Sequence, residues 1–251
     1  MPRYKLTVEY DGTGLVGWQR QNNGLSVQAI LEHALQKLCG VSVSVAAAGR
    51  TDAGVHATGQ VAHVDLPKDF RPEQVRDAVN FWLRDETAPV SVLAVEDVGA
   101  DFHARFSAIG RRYLYRIVDR RPPPVLDRHR VLWVKRRLDV EAMHQAAQLL
   151  VGHHDFSTFR AAECQSASPV KTLDRLDVMR VGEEVQVVAW ARSFLHHQVR
   201  NMVGTLRLVG EGRWADADVA RALAACDRRE GGPTAAAQGL YLTAVIYPSD
   251  E

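Results

Sequence analysis

Three cysteines among 251 residues, Cys39, Cys164 and Cys226, are too few and too scattered for a disulfide framework, and no CxxC pair begins a zinc site. Long apolar runs are missing too. The longest uncharged stretch, Gly231 to Ser249, is broken by three glycines and two prolines, so nothing approaches the ~20 apolar residues of a membrane helix. Arg3, Lys5, Glu9 and Asp11 stand where a secretory leader needs an apolar core. Net charge is nearly absent, with 31 Lys and Arg against 30 Asp and Glu. With 46% hydrophobic and 24% charged residues, the composition excludes disorder and predicts a globular chain in a reducing, cytoplasmic setting.

What is present is unevenly placed. Arg111 to Arg137 holds ten basic residues against Asp119 and Asp127, a local charge of +8 that leaves −7 for the rest of the chain. Tyr113, Tyr115 and Trp133 are interleaved with these cations, a mixture suited to phosphate contact and base stacking. Charge alone fits a solvated basic strand pair equally well.

Periodicity gives the organisation. Tyr4, Leu6, Val8 and Tyr10 alternate as in a half-buried strand. Ser26 can cap a helix with Val27, Ile30, Leu31, Ala34, Leu35 and Leu38 on one face, stopping at Gly40. Val41 to Ala48 and Gln60 to Leu66 read as strands, Pro72 opens a second helix, and Val90 to Val98 is β-branched. The second half follows a similar order: a strand over Ala108–Val118, a short one over Val131–Lys135, and a helix through Val140 to Leu150. A hairpin over Val170–Val181 and Val185–Arg192 comes next, then helices from His197 and Asp216, and a last strand over Gly239–Tyr247. The expectation is an α+β protein of two ferredoxin-like (βαββαβ) halves, residues 1–105 and 106–251, whose antiparallel sheets meet at a central cleft.

Gly12-Thr-Gly14-Leu-Val-Gly17 follows a strand and matches GxGxxG, yet no helix starts within it, so a dinucleotide site is rejected. Its glycines are expected to let backbone approach something closely. The pairs His153-His154 and His196-His197 do not share a helix face, and no metal site is expected. The segment Gly49-Arg-Thr-Asp-Ala-Gly-Val-His-Ala57 is long for a hairpin connection and places Asp52 beside Arg50, Thr51 and His56. A plain turn explains its Asp and Gly as well. Arg200 falls among Val199, Met202, Val203 and Leu206, where an arginine needs an acidic partner, and Asp52 is a candidate.

Taken together these blocks resemble the tRNA pseudouridine synthase A family. The resemblance rests on Tyr10 to Gly14 with Gly17-Trp-Gln-Arg-Gln21, the nine residues around Asp52, and Phe102-His-Ala-Arg-Phe-Ser-Ala108 with Arg111-Arg-Tyr113. It continues through Asp155 to Arg160, Cys164-Gln165, Ser168-Pro169, Phe194 to Gly204 and Gly239 to Leu242, in collinear order over nearly the whole chain. Departures fall at Leu15, Arg84 and Ala236, where they touch loop shape and substrate fit, and none falls on Asp52, Tyr113 or Arg200. The resemblance implies Asp52 as the catalytic carboxylate, Tyr113 against the target uracil, and Arg200 as the ion-pair partner of Asp52. It further implies substrate contacts from Arg50, Thr51, His56, Arg160 and Gln165, and RNA contacts from Arg20, Arg111, Arg112, Arg116, His197 and Asn201. A homodimer without cofactor, acting on the tRNA anticodon stem-loop at nucleotides 38, 39 and 40, is implied as well.

Such an isomerisation breaks the bond from ribose C1′ to N1 and rejoins the base through C5. Nothing is oxidised or hydrolysed. A carboxylate would stabilise the positive sugar, either by covalent attack or as a base at C2′, and both routes stay open. The target base must leave its stack, a few kcal/mol that phosphate contacts would offset. Two rivals are a non-catalytic RNA-binding protein of two ferredoxin-like halves and an oxidoreductase using Gly12 to Gly17.

Overall fold

In a computed structural model of the chain, which describes residues 1–248, ten strands and five α-helices make a mixed α+β protein. Contacts divide it into two compact units, Met1–Ile109 with Tyr241–Glu251, and Gly110–Leu240.

The first unit contains β1 (Arg3–Tyr10), α1 (Val27–Cys39), β2 (Val45–Ala47), β3 (His56–Asp65), α2 (Pro72–Asp85) and β4 (Val90–Val98). Its sheet runs β4-β1-β3, all antiparallel, with β2 also on β3. Tyr4, Leu6, Val8 and Tyr10 are buried on β1 while Glu9 is exposed, so the period of two in the sequence is the period of burial. Helix α1 begins where Ser26 accepts the Ala29 N–H at 3.2 Å and ends at Gly40, whose φ of 75° is open to glycine. Pro72 stands in the first turn of α2, where its missing N–H costs nothing.

The strand at the far end of the sequence, β10 (Leu240–Ile246), pairs in parallel with β3, Tyr241 opposite His56 and Leu242 opposite Ala57. The sequence reading closes the second half with this strand; the contacts group all but its first residue with the first unit.

The second unit contains β5 (Gly110–Val118), β6 (Leu132–Trp133), α3 (Val140–Gln148), β7 (Gly152–Asp155), β8 (Val170–Val181), β9 (Glu184–Ala191), α4 (Gln198–Gly210) and α5 (Asp216–Ala225). The sheet order is β5-β9-β8-β7, antiparallel throughout, with the two-residue β6 beside β5 in parallel. Helix α3 packs on β8 and on α4. Met202, Val203, Leu206 and Val209 of α4 are buried together with Met143, Ala146 and Ala147 of α3. Asp119 at the end of β5 is buried and accepts both Arg180 terminal nitrogens at 2.8 Å and the Leu138 N–H at 2.8 Å. Burial opposes its ionisation, but these donors outweigh it and hold the carboxyl below the ordinary Asp range. No helix among the described residues is long and apolar enough to cross a membrane.

Candidate active site

Two glycines of another segment give the loop between β2 and β3 its shape. After β1, residues 11–18 run as a strap against it. Gly17 has φ of 99°, and a Cβ there would lie 2.5 Å from the Thr51 carbonyl oxygen and 3.0 Å from the Asp52 carbonyl carbon. At Gly12 a Cβ would meet the Val55 carbonyl oxygen at 2.1 Å. The Trp18 N–H donates to Thr51 O at 3.0 Å and the Gly54 N–H to Leu15 O at 3.3 Å. So the glycines of the GxGxxG stretch admit backbone to backbone, and the segment they admit is the one carrying Asp52.

Within the loop the Asp52 carbonyl accepts the Val55 N–H at 3.1 Å, and Gly54 turns the chain with φ of 76°. Asp52 is half-buried and Arg50 exposed. Thr51 is buried, and its hydroxyl shares a 2.7 Å hydrogen bond with the Tyr10 hydroxyl. Gln60 donates from Nε2 to the Gly49 carbonyl at 2.8 Å and reaches the Tyr10 hydroxyl at 3.4 Å. Burial pushes the Tyr10 phenol up to about 12, beyond the lowering effect of those two partners, so it stays protonated at neutral pH. His56 is 2% exposed, with Nδ1 accepting the Gly12 N–H at 3.0 Å, and its ring stacks on Tyr241 at 4.7 Å. Thr51 and His56, expected to touch substrate, thus make inward contacts that support the loop.

The second unit holds the other two expected catalytic positions. Tyr113, half-buried on β5, meets Phe194 edge-on with centroids 5.1 Å apart. Phe194 leads into α4 through His197, which adopts φ of 61° and lays its ring against His196 at 4.0 Å. Arg200, half-buried on α4, donates from Nε to the Ala235 carbonyl at 2.8 Å and accepts the Ala235 N–H on its own carbonyl at 3.0 Å. The neighbouring Ala236 carbonyl accepts the Tyr115 hydroxyl at 2.7 Å. Burial pushes that phenol above its ordinary range, against the opposing charges of Arg200 and Arg207.

Residues 160–165 lie against the start of α4: the Ala161 N–H donates to His196 O at 3.0 Å and the His196 N–H to Cys164 Sγ at 3.4 Å. Arg160 ties down this segment by donating to Cys164 O at 2.8 Å and Ser166 O at 2.7 Å, while Gln165 is exposed. Burial raises the Cys164 thiol, but N–H donors from Ser166 and His196 and the Arg160 charge prevail and lower it. Asn201 is buried, donating to Phe159 O at 2.9 Å and accepting from Thr234 at 2.7 Å and Arg228 at 3.2 Å.

The remaining expected RNA contacts divide by exposure. Arg111 is buried and donates to Arg192 O at 2.6 Å, whereas Arg112 is exposed and lies over the Trp190 ring at 5.0 Å. Arg20 pairs with Glu32 of α1. Arg116 and Arg120 pair with Glu184 and Glu183 at the β8–β9 turn, each at 2.5 Å, so acidic residues distant in sequence offset part of the +8 segment.

A family model for tRNA pseudouridine synthase matches residues 6–107 and 146–248. The chain belongs to the tRNA pseudouridine synthase family. Proteins named tRNA pseudouridine synthase A are similar over nearly their full length. That of Paramagnetospirillum magneticum is 66% identical over 98% of this chain and 96% of its own. Those of Beijerinckia indica and Azorhizobium caulinodans are 60% and 62% identical, covering 100% and 99% of this chain and 95% of theirs. Residues 108–145, with Tyr113 and the basic segment, fall between the two matched stretches of the family model and are spanned by these relatives. Sequence reasoning passed over Tyr10 and Gln60. Gln60 shows only the alternation of a strand, and Tyr10 also opens the first of the resembling blocks, but neither signal says what the side chain holds.

Proposed function

We propose that this tRNA pseudouridine synthase acts in the cytoplasm on uridines of the tRNA anticodon stem-loop, at nucleotides 38, 39 and 40, with Asp52 as its catalytic carboxylate. The observation that carries the reading is the Asp52 loop: a half-buried carboxylate on backbone fixed by neighbouring segments, with the exposed Arg50 two residues before it. A carboxylate so held meets the positive charge that develops on the ribose when the N1 bond breaks, with little reorganisation needed. Tyr113 is read as the residue that stacks on the uracil, and Arg200 as the cation that keeps the carboxylate ionised. Arg50 occupies the place of the extruded base. The exposed cations from Arg112 to Arg137 take phosphates, which makes binding weaken steeply with salt. The chain is also read as a homodimer, which light scattering tests directly.

Tritium release from tRNA carrying 5-tritiated uridine tests the chemistry, because the hydrogen at C5 leaves when the new bond forms there. The wild type releases tritium, and Asp52→Ala loses at least ~1000-fold in rate while still binding tRNA. Equal release by both proteins would remove Asp52 from the chemistry. Sequencing the modified positions separates nucleotides 38 to 40 from any other uridine.

A further inference from the structure

The Asp52 loop has a second set of supports besides the glycine strap, and they are polar and buried. Tyr10 ends β1 with its ring inside the first unit, 3% exposed, and its hydroxyl has two protein partners. One is Thr51 Oγ1 at 2.7 Å, on the residue immediately before Asp52. The other is Gln60 Nε2 at 3.4 Å, whose stronger bond, 2.8 Å, goes to the carbonyl of Gly49. Gln60 is wholly buried and its Oε1 accepts the Val61 N–H at 3.2 Å. The three side chains therefore grip the loop at Gly49 and Thr51, the residues on either side of Arg50. The Thr51 carbonyl faces the strap, where Trp18 donates to it at 3.0 Å. Peptide and side chain of Thr51 are thus held by different elements, and little rotation is left for the bond that orients Asp52.

A core built only for stability has no use for such a chain of hydroxyl and amide groups. Apolar side chains of the same shape would pack at similar or lower cost, since each buried polar group must find a partner. What the polar chain adds is direction, because a hydrogen bond fixes orientation where packing alone fixes volume. We propose that Tyr10 is a positioning residue for Asp52, acting through the Thr51 hydroxyl, and that Gln60 completes the clamp at Gly49. This rests on the assignment of Asp52 as the catalytic carboxylate. It also gives Thr51 the role of a link between core and carboxylate.

The test uses full-length protein, tRNA carrying 5-tritiated uridine, and the variants Tyr10→Phe, Thr51→Val, their double, and Asp52→Ala. Tyr10→Phe removes one oxygen from the core, and Thr51→Val removes the other partner while keeping its shape. We expect each single variant to lower kcat about 10- to 100-fold with KM changed less than 3-fold. The double variant falls no further than the worse single, since both break one link. Losses that multiply in the double, a loss confined to KM, or an unchanged kcat in either single variant would overturn the clamp. A role in folding alone would lower the melting temperature and the active fraction, leaving kcat per folded molecule unmoved. Should Tyr10→Phe fold poorly, Thr51→Val reads the same link from the loop side. Asp52→Ala separates the two layers: if it is inactive while Tyr10→Phe matches wild type, the clamp is wrong and the active-site reading stands. If Asp52→Ala turns over normally, both fall together.

Discussion

Between Gly49 and Gly59 the chain is held by backbone and buried polar groups, whereas from Arg120 to Arg130, before Val131 and Val134 return to the core, it lies at the surface. The first stretch makes bonds with the strap at Leu15 and Trp18 and with the Tyr10 and Gln60 side chains. The second keeps Asp119 buried at its root but carries an exposed tip, Val125 and Leu126 at 68% and 94%, among exposed arginines. The difference matches the demands of the two roles proposed for these segments. A reacting carboxylate needs its position fixed to a fraction of an ångström, while a cation attracting phosphate acts over a Debye length of roughly 8 Å and tolerates movement. One chain meets both demands on irregular segments by changing what holds them.

The comparison breaks most severely at Gly17. Replacing it with alanine adds a Cβ 2.5 Å from the Thr51 carbonyl at a φ of 99°, so the strap must move off the loop. We expect a loss of at least ~2 kcal/mol in urea unfolding together with a fall of ~100-fold or more in kcat. The equivalent change at Gly14, which has open space around its Cβ position, costs less and leaves kcat close to wild type.

The anchored root of the basic segment gives the next largest effect. Asp119→Asn leaves Arg180 without its bidentate partner and lowers stability by roughly 3 kcal/mol at pH 7. Because the folded carboxyl titrates below its unfolded value, its contribution is fully present above the unfolded pKa of about 3.9 and is lost as pH falls through the folded one. Melting curves of wild type and Asp119→Asn therefore converge below about pH 4. A gap that stayed constant to pH 2 would show the effect to be packing rather than charge.

The smallest effects sharpen the contrast within the basic segment itself. Arg121 is exposed, while Arg116 is engaged by Glu184 at 2.5 Å. Arg121→Ala should reduce the slope of log tRNA affinity against log salt by about 1, and Arg116→Ala by less than half as much. Equal reductions would mean that Glu184 gives way when RNA binds.

How much of this was legible in the sequence depended on range. Helices α1 and α2 were legible because their ends are written locally, in Ser26, Gly40 and Pro72. The expected strand Val41–Ala48 shrinks to Val45–Ala47, since only those residues pair with Val64, His63 and Ala62 while Val41, Ser42 and Ser44 face solvent. Strand β7 gave no signal at all: Gly152-His-His-Asp155 has no β-branched residue and exists through its register with Val170 to Leu173 of β8. The nine residues around Asp52 were plain to read. What steadies them was not, because Tyr10 looks like any inward strand residue until Thr51 is seen beside it. The same limit applied to charge, where Glu183 and Glu184 lie some 65 residues from the arginines they meet.

The parallel pairing of β10 with β3 has a consequence for the order in which the protein can be made. His56 stacks on Tyr241, and Gly59 leaves room for the Thr243 carbonyl, which a Cβ would approach to 2.3 Å. The strand that leads out of the Asp52 loop thus waits for a neighbour that leaves the ribosome some 185 residues later. The second unit, drawn from one continuous stretch, has all its residues available before then. During synthesis the unit begun first is therefore the last to be completed, and a nascent chain stalled before residue 240 carries an unfinished sheet edge beside its Asp52 loop.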